Sequence, residues 1–218
     1  MKPQGRGFRG LGLLLLACLL VTGCQTVYYQ AWEKFGKEKR DLLKDNVKDA
    51  RNEQEQAAEQ FKDALTRLKE MYGFQGGNLE KAYDKLKADY DRSASRAKAV
   101  SSRVEKVEQI ATDLFAEWEA EIKNMSNDRL SANSRAQLRQ TREKYESLHA
   151  SMKKAESSMQ PVLKQFQDQV LYLKHNLNAQ AIGSLKGEAV DIEKEIQRLI
   201  KDVNASIAEA DAFIQGME

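Results

Sequence analysis

Ile182-Gly183-Ser184-Leu185-Lys186-Gly187-Glu188-Ala189-Val190-Asp191-Ile192-Glu193-Lys194-Glu195-Ile196-Gln197-Arg198-Leu199 decides the fold. Its apolar residues Ile182, Leu185, Ala189, Ile192, Ile196 and Leu199 recur at alternating steps of three and four, and Val203, Ile207, Ala210 and Ile214 continue the series. That spacing lays one apolar stripe along a helix and leaves the charged residues on the other faces. A rod of this kind is stable only when another rod covers the stripe.

Working outward, the same seam occurs three more times. It runs through Leu43, Val47, Ala50, Ala57, Phe61, Ala64, Leu68 and Met71, with the amide of Gln54 in the one missing place. A second series runs from Leu79 through Tyr83, Leu86, Tyr90, Ser93, Ala97, Val100, Val104, Val107, Ala111, Leu114 and Trp118 to Met125. The third comprises Leu138, Tyr145, Leu148, Met152, Ala155, Met159, Val162, Phe166, Val170, Leu173 and Leu177, in phase across Pro161. Pro161 therefore predicts a kink rather than a stop.

Turn signals separate the four segments. Gly73 suits a left-handed C-terminal cap and Asn78 an N-cap. Ser126-Asn127-Asp128 interrupts the second seam, Ser134 with Gln137 reads as a capping box opening the third helix, and the phase changes within Asn176-Leu177-Asn178-Ala179-Gln180. Helices over about 37–72, 79–125, 134–176 and 180–215 follow. The fold class is all-α, an elongated antiparallel helical bundle or set of coiled-coil hairpins of about four long helices. Unequal lengths predict that part of the second or third helix projects as a two-stranded coiled coil. A homodimer completing each bundle in trans fits the same pattern.

The N-terminal 36 residues are of another kind. Met1 to Arg9 is basic and free of acids, and the apolar run Leu11 to Val21 ends in Thr22-Gly23-Cys24. Eleven residues make about 16 Å of helix, about half of a ~30 Å hydrocarbon core, so a cleaved signal is expected over residues 1–23 rather than a permanent span. Val21-Thr22-Gly23-Cys24 resembles a bacterial lipobox, which makes Cys24 the expected lipidation site; Leu15-Leu16-Ala17-Cys18 fits it more loosely. Gln25, rather than Asp, follows the cysteine, and by resemblance to enterobacterial lipoproteins this implies export to the outer membrane, where the periplasmic face is the expected place. Residues 24–36 form the acylated anchor and an aromatic juxtamembrane stretch. Tyr28, Tyr29, Trp32 and Phe35 there either contact the membrane interface or plug one end of the bundle.

Composition narrows the function. Removing Lys2, Arg6 and Arg9 from the 35 cations leaves 32 against 33 acids, and an evenly mixed surface argues against nucleic-acid binding. With Cys18 and Cys24 both in the leader region and two histidines in the chain, no disulfide, zinc cluster or Cys-His or Ser-His-Asp set is expected in the body. Glu146-Ser147-Leu148-His149 is one of the two Glu-x-x-His pairs that a di-metal bundle site requires beside two further buried carboxylates, and His175 has Tyr172 where the second pair would need an acid. Lys174, His175, Asn176 and Asn178 are a recognition loop or a pair of helix caps. No catalytic residue, metal ligand or cofactor is assigned beyond the lipid on Cys24.

Tyr28-Tyr29, Lys39-Arg40-Asp41, Gln60-Phe61-Lys62-Asp63-Ala64-Leu65, Leu114-Phe115-Ala116-Glu117-Trp118 and, most distinctively, Gln169-Val170-Leu171-Tyr172-Leu173-Lys174-His175-Asn176-Leu177-Asn178 resemble an uncharacterised proteobacterial lipoprotein family, domain of unknown function 2959. The resemblance implies a non-enzymatic envelope protein and transfers no catalytic residue. The expected function is a lipid-anchored structural or interaction protein, with an envelope protein or a second copy as partner. A carrier holding a small molecule or lipid between its helices is the alternative.

Overall fold

The computed structural model describes residues 38–73, 79–176 and 178–217, and among them the chain is helical with no strand. Cys24, Tyr28, Tyr29, Trp32 and Phe35 lie outside the described residues, as do Leu177 and Asn78. Four helices follow in order: α1 Lys39–Tyr72, α2 Leu79–Asn124, α3 Asp128–His175 and α4 Ala179–Gln215. The chain divides into two units, Met1–Leu42 and Leu43–Glu218. The described part of the first is the opening of α1, where Leu42 N–H donates to the Glu38 carbonyl at 3.1 Å.

Within Leu43–Glu218 the four helices run up, down, up and down. The ion pairs Arg96–Glu53 (2.9 Å) and Arg103–Asp49 (3.4 Å) join α2 to α1, so residue numbers fall along one as they rise along the other. Arg142–Glu119 joins α3 to α2, Lys154–Asp202 joins α3 to α4, and Lys69–Glu193 closes the ring between α1 and α4. All four neighbours are antiparallel, as short connections require. Across the diagonal, Phe61 of α1 stacks on Phe166 of α3 with ring centroids 6.4 Å apart.

The seams become the core. Leu43, Val47, Ala57, Phe61, Val100, Val104, Leu148, Met152, Met159, Ile196 and Leu199 are fully enclosed. One polar layer crosses this interior: Gln54 Nε2 donates to the Met152 carbonyl at 3.2 Å, and Ser206 Oγ donates to Gln54 Oε1 at 2.7 Å. Gln54 and Ser206 are both 0% exposed, so each depends on the other for a partner. Such a layer ties three helices into one register. Gln54→Leu should therefore cost about 1–2 kcal/mol by leaving Ser206 Oγ without its acceptor, and adding Ser206→Ala should restore most of the loss, as read by urea denaturation.

Several expectations shift. The third helix opens at Asp128 rather than near Ser134, because Asn127 is its N-cap and accepts from Leu130 N–H at 3.1 Å. Ser134 instead lies inside α3 and accepts from Trp118 Nε1 at 2.8 Å. Gly73 does not take the left-handed conformation; its N–H closes a tight last turn on the Glu70 carbonyl at 3.2 Å, which satisfies the same orphan group. Met125 is 40% exposed, since α2 ends at Asn124 and Ile122 is its last buried apolar residue. Asp89, Ser206 and Phe213 are buried, whereas Tyr90, Ile207 and Ile214 beside them are only half-buried. A helix in a four-helix ring meets two neighbours and a diagonal partner, so its buried stripe is wider than the two-position seam of a paired coil. Pro161 lies within a continuous α3.

From the Arg103–Asp49 pair, α2 continues 21 residues to Asn124 while α1 has six back to Leu43. The α2–α3 hairpin thus reaches about 20 Å past the level of Leu43. Its tip carries Met125 and Leu130, both exposed.

Candidate functional site

The most unusual side chain in the bundle is Asp89, because a carboxylate at 1% exposure is stable only if its charge is met. It faces α1 from almost three turns beyond Leu79, at a position beside the apolar seam. Arg67 Nε lies 2.7 Å from both of its carboxylate oxygens, and another guanidinium nitrogen of Arg67 lies 2.6 Å from Oδ1. Arg92, one turn along α2, donates to the same Oδ1. The hydrogen bond with Asp89 raises the Arg67 pKa further above its ordinary value, against the opposing effect of burial. Asp89 is thereby a clamp that holds two arginines from two helices.

A cleft of about 410 Å³ opens beside this clamp, between the C-terminal half of α1 and the start of α2. Met71, Ala82, Leu86 and Ala88 give it apolar walls, while Arg67, Lys81, Lys85 and Arg92 outnumber Glu70 and Asp89 along it. Planar guanidinium groups held in fixed orientation suit carboxylate and phosphate oxygens.

Two smaller clefts flank the α2–α3 hairpin. One of about 350 Å³ is lined by Ile122, Leu138, Arg135 and Arg139 among others; the second, about 360 Å³, lies over Phe115 and Tyr145. Here the rings form a cluster: Phe115 meets Tyr145 edge-on at 5.5 Å, Tyr145 meets Phe213 at 6.3 Å, and Arg142 sits 5.1 Å above the Phe115 ring. Burial, aided by the charge of Glu108, pushes the Tyr145 hydroxyl well above its ordinary range, so it stays neutral.

His149 stacks on Tyr145 at 5.6 Å, with Nε2 3.5 Å from Glu108 Oε2. Among the described residues no group of three His, Cys, Asp or Glu side chains, about the Glu146–His149 pair or elsewhere, is placed to hold a metal. Nearby, burial pushes the Glu156 carboxyl up, but hydrogen bonds from Lys153 and Ser101 outweigh it and hold the group below its ordinary value.

Of the block at the α3–α4 connection, Asn176 and Asn178 act as caps. Asn176 N–H donates to the Leu173 carbonyl at 3.1 Å and its Nδ2 to the Tyr172 carbonyl at 2.9 Å, closing α3. Asn178 Oδ1 accepts from Ala181 N–H at 2.9 Å, opening α4. Lys174 and His175 are exposed in the last turn of α3, where positive charge favours the helix C-terminus. The structure does not bring these residues together with the Asp89 clamp. Sequence reasoning passed over Asp89 because Tyr90 fits the seam. The signal available was an acid one step off a seam, with Arg92 three places on.

This geometry is carried by a chain of which residues 28–217 match one family model, "Protein of unknown function (DUF2959)". The chain belongs to that family. The matched span of this DUF2959 protein contains all four helices, the Asp89 clamp and the three clefts. No curated protein and no solved structure matches it. Among the described residues of the DUF2959 chain, no helix is long and apolar enough to cross a membrane.

Proposed function

We propose that this DUF2959 protein is a lipid-anchored, non-catalytic structural or interaction protein on the periplasmic face of the bacterial outer membrane. The observation that carries the interaction role is the closed, internally paired core. Leu43, Phe61, Val104, Met152 and Ile196 are wholly enclosed by their neighbours and the polar layer is internally paired, so the interior side chains at that level already have their partners within the bundle. Helix faces and hairpin ends are what remain to engage a partner, and the α2–α3 hairpin presents Met125 and Leu130 well beyond the level of Leu43.

The anchor rests on Val21-Thr22-Gly23-Cys24 after an eleven-residue apolar run, and the outer-membrane address on Gln25. Acyl chains contribute ~0.8 kcal/mol per buried CH₂, enough for two or three chains to hold the protein at a bilayer. In cells supplied with radioactive palmitate, Cys24→Ala is expected to abolish labelling; undiminished labelling would place the lipid elsewhere. The interaction role is tested by a photo-crosslinking side chain at Leu130 in intact cells. A discrete adduct with an envelope protein, or with a second copy, is expected. Its absence, when the same probe at Met125 is also silent, would remove the hairpin from the reading.

A carrier function is the second reading, favoured specifically by the cleft beside Asp89.

A further inference from the structure

We propose that the first three turns of α4, residues 179–190, form a strap that opens and recloses while the rest of the bundle stays folded, baring Ile182 and Leu185. This stretch is the most weakly held part of a long helix. From the Lys69–Glu193 pair, α1 continues three residues to Tyr72 while α4 runs back 14 to Ala179, so about 16 Å of α4 lies past the end of α1. Glu193 is also the first α4 side chain that bonds to another helix among the described residues. Asp202, Glu209 and Asp211 then meet Lys154, Ser147 and Arg51 farther along. The first turns of α1, α2 and α3 carry Asp41, Glu80 and Asp128 at the positive end of each helix, whereas the first turn of α4 carries no acid. Its start is held by Asn178 Oδ1, which accepts from Ala181 N–H.

Two glycines weaken the same stretch further. Gly183 and Gly187 lie one turn apart inside the helix, both exposed, and a Cβ added at either would meet nothing within 4 Å. No close contact calls for a glycine at either place, yet each weakens a helix interior relative to alanine because the open chain keeps more freedom there. Against that stand Ala181, Ile182 and Leu185, which are buried and close the stretch by apolar contact. A weak helix closed by a few apolar side chains, with no bond from its own side chains to a neighbour, opens locally at less cost than global unfolding. The opening has a consequence for the surface. Lys154–Asp202 and Ser147–Glu209 set the register of α3 against α4 and put Leu185 at the level of Leu171, which is 50% exposed beside Tyr172 at 40%. Release of the strap thus adds Ile182 and Leu185 to the apolar surface already bare at that level.

Hydrogen–deuterium exchange of the full chain, read by mass spectrometry as protection relative to the unfolded chain, tests the strap. Amides of residues 183–190 are expected to be about a hundredfold less protected than those of residues 196–206. Their protection should also stay constant in urea below the unfolding transition, because a short opening exposes little surface, while that of residues 196–206 falls. Gly183→Ala combined with Gly187→Ala should raise the protection of residues 183–190 about fifteenfold, about fourfold from each. Asn178→Ala, which removes the cap, should lower it about fivefold. Helical melting curves establish that each variant is folded. Equal protection of the two stretches, the same urea dependence in both, or protection of residues 183–190 unchanged in the folded double variant would overturn the proposal.

Discussion

Phe166→Ala is expected to lower the stability of the bundle by about 3–5 kcal/mol, the range for removing a large aromatic ring from a closed core. Phe166 is 1% exposed and stacks on Phe61, itself 0% exposed, across the diagonal between α1 and α3. The truncation therefore opens a void at a place where no single helix can move inward to close it. Neighbouring helices are held at their spacing by Lys69–Glu193 on one flank and Arg67–Asp89 on another. For a domain of this size each kcal/mol shifts the melting midpoint by about 2–4 °C, so a fall of about 10 °C is expected. Phe166→Leu, which keeps most of the volume, should cost less than half as much. Urea midpoints at unchanged slope are the measurement, and a loss below about 1 kcal/mol for the alanine variant would mean that the diagonal is not packed as described.

Asp89→Ala is expected to cost about 3 kcal/mol, at the low end of the range for breaking a buried ion pair from one side. The reason is what it leaves behind. Arg67 and Arg92 converge on one carboxylate, and without it two cations face each other across the α1–α2 groove. Both arginines are partly exposed, at 36% and 53%, so they can turn toward water, and this brings the cost below that of a sealed pair. Asp89→Asn keeps the shape but turns an amide N–H₂ toward one guanidinium; its loss should fall between zero and the alanine value. Combining Asp89→Ala with Arg67→Met, which removes the stranded charge and retains an apolar stem, is expected to recover at least half of the stability. If the double variant is as unstable as the single one, the clamp is not an electrostatic unit.

These two effects differ in how far they were legible beforehand. Phe166 and Phe61 stand in their seams, and the repeat alone marks them as core. Asp89 does not, because the repeat points to Tyr90, the aromatic neighbour. The cleft was equally hidden: Ala82, Leu86 and Met71 read as ordinary seam or flank residues until α1 and α2 are laid side by side. The caps show the same division. Asn178 was readable as an N-cap, whereas the box at Ser134 and Gln137 pointed to a helix start that the chain places at Asp128, since Asn127 supplies a cap seven residues earlier.

What the amino-acid order determined by itself is therefore local: four amphipathic rods, their polar breaks, the antiparallel return that short connections impose, and the lone amide at Gln54 within an apolar stripe. Each follows from a period of three to four residues along one helix, which needs no knowledge of a neighbour. Only the tertiary structure decided that Asp89, Ser206 and Phe213 turn inward, that Gln54 finds Ser206 152 positions away, and that Arg67 and Arg92 meet on one carboxylate. Burial of a flanking residue depends on the angle and distance at which the next helix passes, and those are set by the packing of the whole ring rather than by any one rod.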